Sequence, residues 1–181
     1  PWVMPSPNMP TGDTALVYPG MVLLEATNLS EGRGTTRPFE LSGAPFIHPE
    51  RFVKAFGEAD TSGCVLREHG FIPTFNKHRG EFCNGWQIHV TDPRAYRPVY
   101  TAAALLRAAR AASSGTFRFT DPPYEYETQK MPFDILSGDS SLREWLEQGG
   151  SFADLRERWE GQYEAFRELL AGVALYPEER P

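Results

Sequence analysis

Trp86-Gln87-Ile88-His89-Val90-Thr91, followed by Asp92-Pro93 and then by the stretch from Pro98 to Ala112, carries the clearest structural signal in the chain. The first six residues alternate. Trp86, Ile88 and Val90 share one face, and Gln87, His89 and Thr91 share the other, which is the period of a half-buried strand. Asp92-Pro93 reads as an N-cap followed by proline at the first helical position, where the missing N–H is no loss. The long helix is expected to begin properly near Pro98 and to run through the alanines to about Ala112, with Gly115 as its stop. A strand leading into a long helix places the chain in the α/β class, here of the α+β type. The expectation is one compact domain with a small mixed sheet flanked by helices.

Working outward, Cys64-Val65-Leu66 starts a strand that is expected to continue, with a turn near Gly70, to Phe75. His48-Pro49 opens a helix that turns Phe52, Phe56 and Ala59 to the core. Met21-Val22-Leu23-Leu24-Glu25-Ala26 is a short apolar run, read as a strand. Residues 1–20 contain four prolines in their first ten positions and read as an extended linker or docking arm, leaving 21–181 as the domain. The opening Pro1-Trp2-Val3-Met4-Pro5 carries no targeting pattern and reads as the interior of a longer protein. On the other side, Thr116–Phe119 is a brief strand, and residues 120–138 are an aromatic loop with a short helix near Phe133. Ser141-Leu142-Arg143-Glu144 and Ser151-Phe152-Ala153-Asp154 resemble capping boxes. In the last helix Leu155, Trp159, Tyr163, Phe166 and Leu170 recur at helical spacing, which reads as core packing.

Composition removes several classes of function. The 181 residues are 40% hydrophobic, enough for one core without staples. The net charge of −6 gives no basic field for nucleic acid, and no apolar run is long enough to span a membrane. Cys64 and Cys83 match no zinc spacing; one disulfide and two buried thiols are both open. Gly32 and Gly34 lack the following Gly-Lys-Ser/Thr of a phosphate loop. No Gly-x-Ser-x-Gly elbow is present. His78, Glu81 and His89 carry donor atoms but fit no familiar ligand motif, so neither a metal nor another cofactor is expected.

Polar side chains concentrate in three places. Glu25 to Arg37 holds Glu25, Asn28, Glu31, Arg33, Thr35, Thr36 and Arg37, with glycines that allow sharp turns and close approach of a ligand. Lys77, His78, Gln87 and His89 form a second group able to converge on a ligand with the first. Asp121-Pro122-Pro123-Tyr124-Glu125-Tyr126-Glu127 sets rings beside carboxylates, as sugar binding requires, although a packed loop has the same composition. A solvated loop with surface ion pairs is the plainer reading of the first group.

Taken together these motifs are specific. Tyr18-Pro19-Gly20, Glu25-Ala26-Thr27-Asn28-Leu29-Ser30-Glu31-Gly32-Arg33-Gly34-Thr35-Thr36-Arg37-Pro38-Phe39-Glu40 and Gly43-Ala44-Pro45 resemble the NamZ-type exo-β-N-acetylmuramidases. So do Phe75-Asn76-Lys77-His78-Arg79-Gly80, Gln87-Ile88-His89-Val90-Thr91-Asp92 and Pro132-Phe133-Asp134-Ile135-Leu136-Ser137-Gly138. Ala26, Phe46 and His48 depart from the usual Gly, Trp and Asp; the first two remove neither a carboxylate nor an arginine.

The resemblance implies the C-terminal half of a bacterial, secreted or periplasmic peptidoglycan glycosidase. Its partners would be muramyl saccharides and an N-terminal Rossmann-like half, with the cleft where the halves meet. The isolated chain is expected to fold and to be nearly inactive. Glycoside hydrolysis uses two carboxyl groups, and Glu25 and Glu31 are the candidates here. Glu31 could instead only fix Arg33 or Arg37. Arg33 or Arg37 would read the lactyl carboxylate of N-acetylmuramic acid bidentately. Asn28, Thr35 and Thr36 would read sugar or amide groups, with Lys77, His78, Gln87, His89 and Tyr124 also lining the site. A non-catalytic module that holds peptidoglycan fragments, and a purely structural lid, are the competing readings. Convergence of Glu25, Glu31, Arg33 and Gln87 on one concave face would favour the enzyme.

Overall fold

The alternating stretch forms the central strand of the structure, a computed structural model that describes residues 1–57, 59 and 61–175. Numbered in chain order, the strands are β1 (Leu41–Ala44), β2 (Cys64–Glu68) and β3 (Asn84–Val90), arranged β1-β3-β2. Both neighbours run antiparallel to β3, so the sheet is antiparallel where a mixed one is expected. The reason lies in the connection: residues 69–83 return from β2 to β3 without a helical crossover, and adjacent parallel strands would need one. Trp86 and Ile88 are buried and His89 is exposed, as the alternation requires.

β1 has no counterpart in the sequence reading, because Leu41-Ser42-Gly43-Ala44 has poor strand propensity. Long-range pairing makes it a strand. Gly43 faces Gly85 across the ladder, and a Cβ on either would run into backbone of the opposite strand. Close approach of two backbones therefore replaces side-chain preference.

Among the described residues, six α-helices accompany the sheet: α1 (Gly12–Met21), α2 (Pro49–Phe56), α3 (Pro98–Ala112), α4 (Pro132–Ser137), α5 (Ser141–Gln148) and α6 (Phe152–Ala171). α2, α3 and α4 each carry proline in the first turn. α3 is the central helix. Ala102, Ala103, Leu105, Leu106, Ala108 and Ala109 are all buried, and alanines on most sides let neighbours approach closely. Trp86 lies flat on Phe52 of α2, ring centroids 3.9 Å apart. This stack joins the sheet to the helical layer.

Several elements differ from expectation. Residues 12–21 are helical, not part of an extended arm. Pro1, Pro5, Pro7 and Pro10 all precede the N-cap Thr11, whose side chain accepts from the Thr14 amide, so they do not obstruct the helix. Residues 22–26 continue as a 3₁₀ helix where a strand is expected, since a short apolar run cannot by itself distinguish the two. β2 ends at Glu68; beyond it the pairing continues through the His69 amide to the Gly85 carbonyl and the Phe71–Cys83 bridge. Thr116–Phe119 is not a regular strand, though Phe119 bridges Thr27. Residues 93–97 are not helical. The cap of α5 falls one residue early, on Ser140, because Asp139 Oδ1 takes the Ser141 amide at 2.8 Å. Ser151 caps α6 as expected, accepting from Asp154 N. Leu155 is buried and Trp159 partly buried, but Tyr163 and Phe166 are exposed, so the second half of the α6 stripe is not core.

Both cysteines are free thiols. Burial pushes the Cys83 thiol up to about 12, with the charge of Glu81 adding to it, and burial also raises Cys64.

Candidate functional site

Glu25 is the one charged residue of the 3₁₀ helix, and its neighbours Leu24 and Ala26 are fully buried. Anchoring those two apolar residues turns Glu25 outward, and its side chain retains 17% of its surface. From Thr27 the chain becomes extended and Ser30 bridges Gly43 of β1. This brings Glu31 inward until it is only 2% exposed.

Arg33 joins the two carboxylates. One guanidinium nitrogen pairs with Glu25, while Nε forms an ion pair with Glu31 Oε1 at 3.1 Å. Burial lowers the Arg33 pKa, but the hydrogen bond and charge of Glu25, with the charge of Glu31, raise it overall. The guanidinium also lies 5.2 Å from the Phe39 ring centroid.

A second loop closes on this cluster from below. Lys77 Nζ donates to Glu31 Oε2 at 2.9 Å and to the carbonyls of Leu24, Glu25 and Leu29 at 2.9, 3.1 and 3.1 Å. It thereby ties the end of the short helix to the extended segment that follows it. Burial lowers the Lys77 pKa, against the opposing pull of Glu31. Asn76 Nδ2 reaches Glu31 Oε1 at 3.4 Å. His78 Nε2 is 2.7 Å from the Asn28 carbonyl oxygen, which can only accept, so Nε2 carries the proton. Asn76 and His78 have φ of 67° and 56°, a conformation that costs non-glycine residues energy and is held here by the surrounding bonds.

Gly34 lets the two loops meet. Its carbonyl accepts from the Thr74 amide and hydroxyl, both at 2.9 Å. Its φ is +85°, and a Cβ would stand 2.7 Å from Phe75 backbone. Gly34→Ala is expected to cost about 1–3 kcal/mol, read as a lower denaturant midpoint at unchanged slope.

The aromatic loop supplies the last member. Tyr124 OH donates to Glu25 Oε2 at 3.3 Å. Partial burial raises the Tyr124 pKa, and the charge of Glu25 raises it further, so the phenol stays a donor through neutral pH. Chemically the cluster presents one partly exposed carboxylate, fixed by a cation and a phenol. It rests on a second, buried carboxylate whose acceptor positions are occupied.

The remaining predicted residues lie apart from this geometry or serve it indirectly. Asn28 spends its side chain on the backbone: Nδ2 donates to Thr116 O and Oδ1 accepts from Arg118 N, both at 2.9 Å. Thr35 Oγ1 donates to Gly32 O at 2.6 Å. Thr36 is exposed. Arg37 is 44% exposed and only loosely paired with Glu40, at 3.5 Å. Gln87 accepts from Arg67 of β2 at 2.6 Å, a cross-strand pair, and does not join Glu25 and Glu31. His89 stands opposite Val65 on the exposed face of the sheet. Asn76 is the contact residue missed by the sequence reading, although the string Phe75 to Gly80 contained it. Buried Glu40 was missed as well. It accepts from Thr14 Oγ1 at 2.7 Å and from Thr11 Oγ1 at 3.1 Å, tying the start of α1 to the loop. Among the described residues, no three His, Cys, Asp or Glu side chains gather as a metal would require, and no helix is long and apolar enough to cross a membrane.

Comparison with known proteins places this geometry in context. Residues 16–176 match the family described as exo-beta-N-acetylmuramidase NamZ, C-terminal. The chain is 35% identical over 176 residues to the peptidoglycan beta-N-acetylmuramidase NamZ of Bacillus subtilis (strain 168), covering 97% of this chain and 41% of that protein. Two crystal structures of DUF1343 family proteins from Bacteroides fragilis share the fold. One superposes with a TM-score of 0.78 at 23% identity, the other with 0.68 at 22%. Each match covers 97% of this chain and less than half of the other, 45% and 44%. The chain thus spans under half the length of the relatives it matches.

Proposed function

The chain belongs to the NamZ C-terminal family, and from that premise we propose that it forms one half of an exo-acting glycoside hydrolase. The full-length protein would release N-acetylmuramic acid from the non-reducing end of peptidoglycan fragments, with this half supplying part of the cleft. The observation that carries the reading is the Glu25 carboxylate, partly exposed and held by Arg33 and Tyr124 over a base of buried Glu31 and half-buried Lys77. A surface loop with no task would not need a buried carboxylate and a half-buried ammonium beneath it, since each is costly to desolvate. Glu25 is the group that meets the substrate, opposite a carboxylate of the N-terminal half. Glu31 is a positioning residue. The setting is bacterial and outside the cytoplasm.

Burial also separates the two arginines. Arg33 is committed to two carboxylates, whereas Arg37 is the more exposed and the more weakly paired. Arg37 therefore reads the lactyl carboxylate that distinguishes N-acetylmuramic acid from N-acetylglucosamine. Losing a charge-assisted hydrogen bond costs about 1.5–3 kcal/mol. Arg37→Ala should lower kcat/KM on a chromogenic muramide by roughly 10- to 150-fold, and hardly change residual turnover of the matching glucosaminide. Equal losses on both would remove Arg37 from recognition.

The internal pairing of all four charged groups favours a second reading, a module that binds fragments while the other half performs the chemistry. Release of free N-acetylmuramic acid by the full-length protein, set beside this chain alone, tests the assignment. Turnover by the full-length protein only is expected. No turnover by either, with retained fragment binding, would leave the binding module.

A further inference from the structure

Among the described residues, the buried and ring contacts that hold α6 to the domain come from its first half. Leu155 is buried, Phe152 packs against Trp145, and Trp159 meets Tyr100 edge-on. Beyond that point the same face is open: Tyr163 is 58% exposed and Phe166 57%. Trp159, Tyr163, Phe166 and Leu170 are spaced four, three and four apart, the seam of a helix that pairs with another helix. At the inner end of this seam lies a concavity of about 710 Å³, whose lining includes Tyr96, Val99 and Tyr163. An apolar stripe continuous with a groove is the form of an interface lacking its other side.

We infer that this face is covered by an apolar helix face from the remainder of the full-length polypeptide. Two observations select that occupant. The family match extends to residue 176 and so includes the whole of α6, while the relatives carry more than half their length outside the matched region. A second copy of the chain is disfavoured electrostatically, because each carries a net charge of −6. The surface is distinct from the Glu25 cluster, with which the groove shares no lining residue. A domain gripped at both places keeps its half of the cleft in fixed register with the other half. The inference rests on the reading that the full-length protein has a second half, but not on what reaction that half performs.

Hydrogen exchange on the full-length protein tests it. Amides across 162–173 should exchange as slowly as those of α3, and Tyr163→Glu with Phe166→Glu should speed them at least tenfold while leaving α3 unchanged. Sedimentation should show a monomer in both cases. Fast exchange along 162–173 in the unaltered protein would overturn the inference. So would protection that appears only as the protein dimerises, which would assign the face to a second copy. Muramidase activity measured on the same unaltered sample reports separately on the functional reading: inactivity with a protected α6 would sink that reading and leave this one standing.

Discussion

Glu25→Gln in the full-length protein should cut release of N-acetylmuramic acid by roughly 10²- to 10⁴-fold, the usual contribution of a group acting on the reacting bond. The amide keeps the shape of the side chain: its oxygen can still accept from Arg33, and its NH2 can donate to the Tyr124 hydroxyl in place of the bond that the carboxylate accepts. Stability should therefore change by less than about 1 kcal/mol, as for most partly exposed pairs. Glu31→Gln should behave in the opposite sense. Its carboxylate is 2% exposed and receives Arg33, Asn76 and Lys77, so the loss should appear first in the melting temperature. Steady-state kinetics and thermal unfolding on the same two variants decide between the roles. Unchanged turnover in the Glu25 variant would take that residue out of the chemistry. A stable but inactive Glu31 variant would reverse the assignment.

Lys77→Met should be the most damaging single substitution for the fold of the site. The methionine fills much of the same volume but donates nothing. It would leave Glu31 without its cation and the carbonyls of Leu24, Glu25 and Leu29 without their shared donor. Breaking a buried ion pair by removing one partner costs about 3–5 kcal/mol. In a domain of this size that is a fall of roughly 10 °C in Tm. The double variant Lys77→Met with Glu31→Leu removes both charges, and should recover much of the loss because no uncompensated charge remains. Calorimetry of the two variants checks the expectation. If the double variant were no more stable than the single, the carbonyl bonds rather than the ion pair would hold the loop.

Local signals were legible wherever neighbours in sequence decide the outcome. The alternation from Trp86 to Val90, the alanines of α3 behind Pro98, and the Ser151 cap of α6 all depend on contacts within a few residues, and all three appear as read. The polar concentration from Glu25 to Arg37 was equally visible, as was its link to the string around Lys77. Readings failed, or none was possible, where long-range packing takes over. Met21 to Ala26 became a 3₁₀ helix in place of a strand, the far half of the α6 stripe found no core, and Leu41 to Ala44, for which no local signal exists, is a strand through paired glycines.

The sequence by itself determined the class of the fold, the position of its central helix and strand, and the stretch in which chemistry could reside. Periodicity, capping and residue type act over a single turn or a single pleat, and no folded context is needed to apply them. Only the tertiary structure decided which carboxylate faces outward. Glu25 and Glu31 are alike as residues and six positions apart; they differ because Lys77, 46 residues beyond Glu31, and a β-bridge to Gly43 draw one of them beneath the surface and leave the other above it. Burial and charge pairing are properties of the assembled neighbourhood, and no local pattern encodes them.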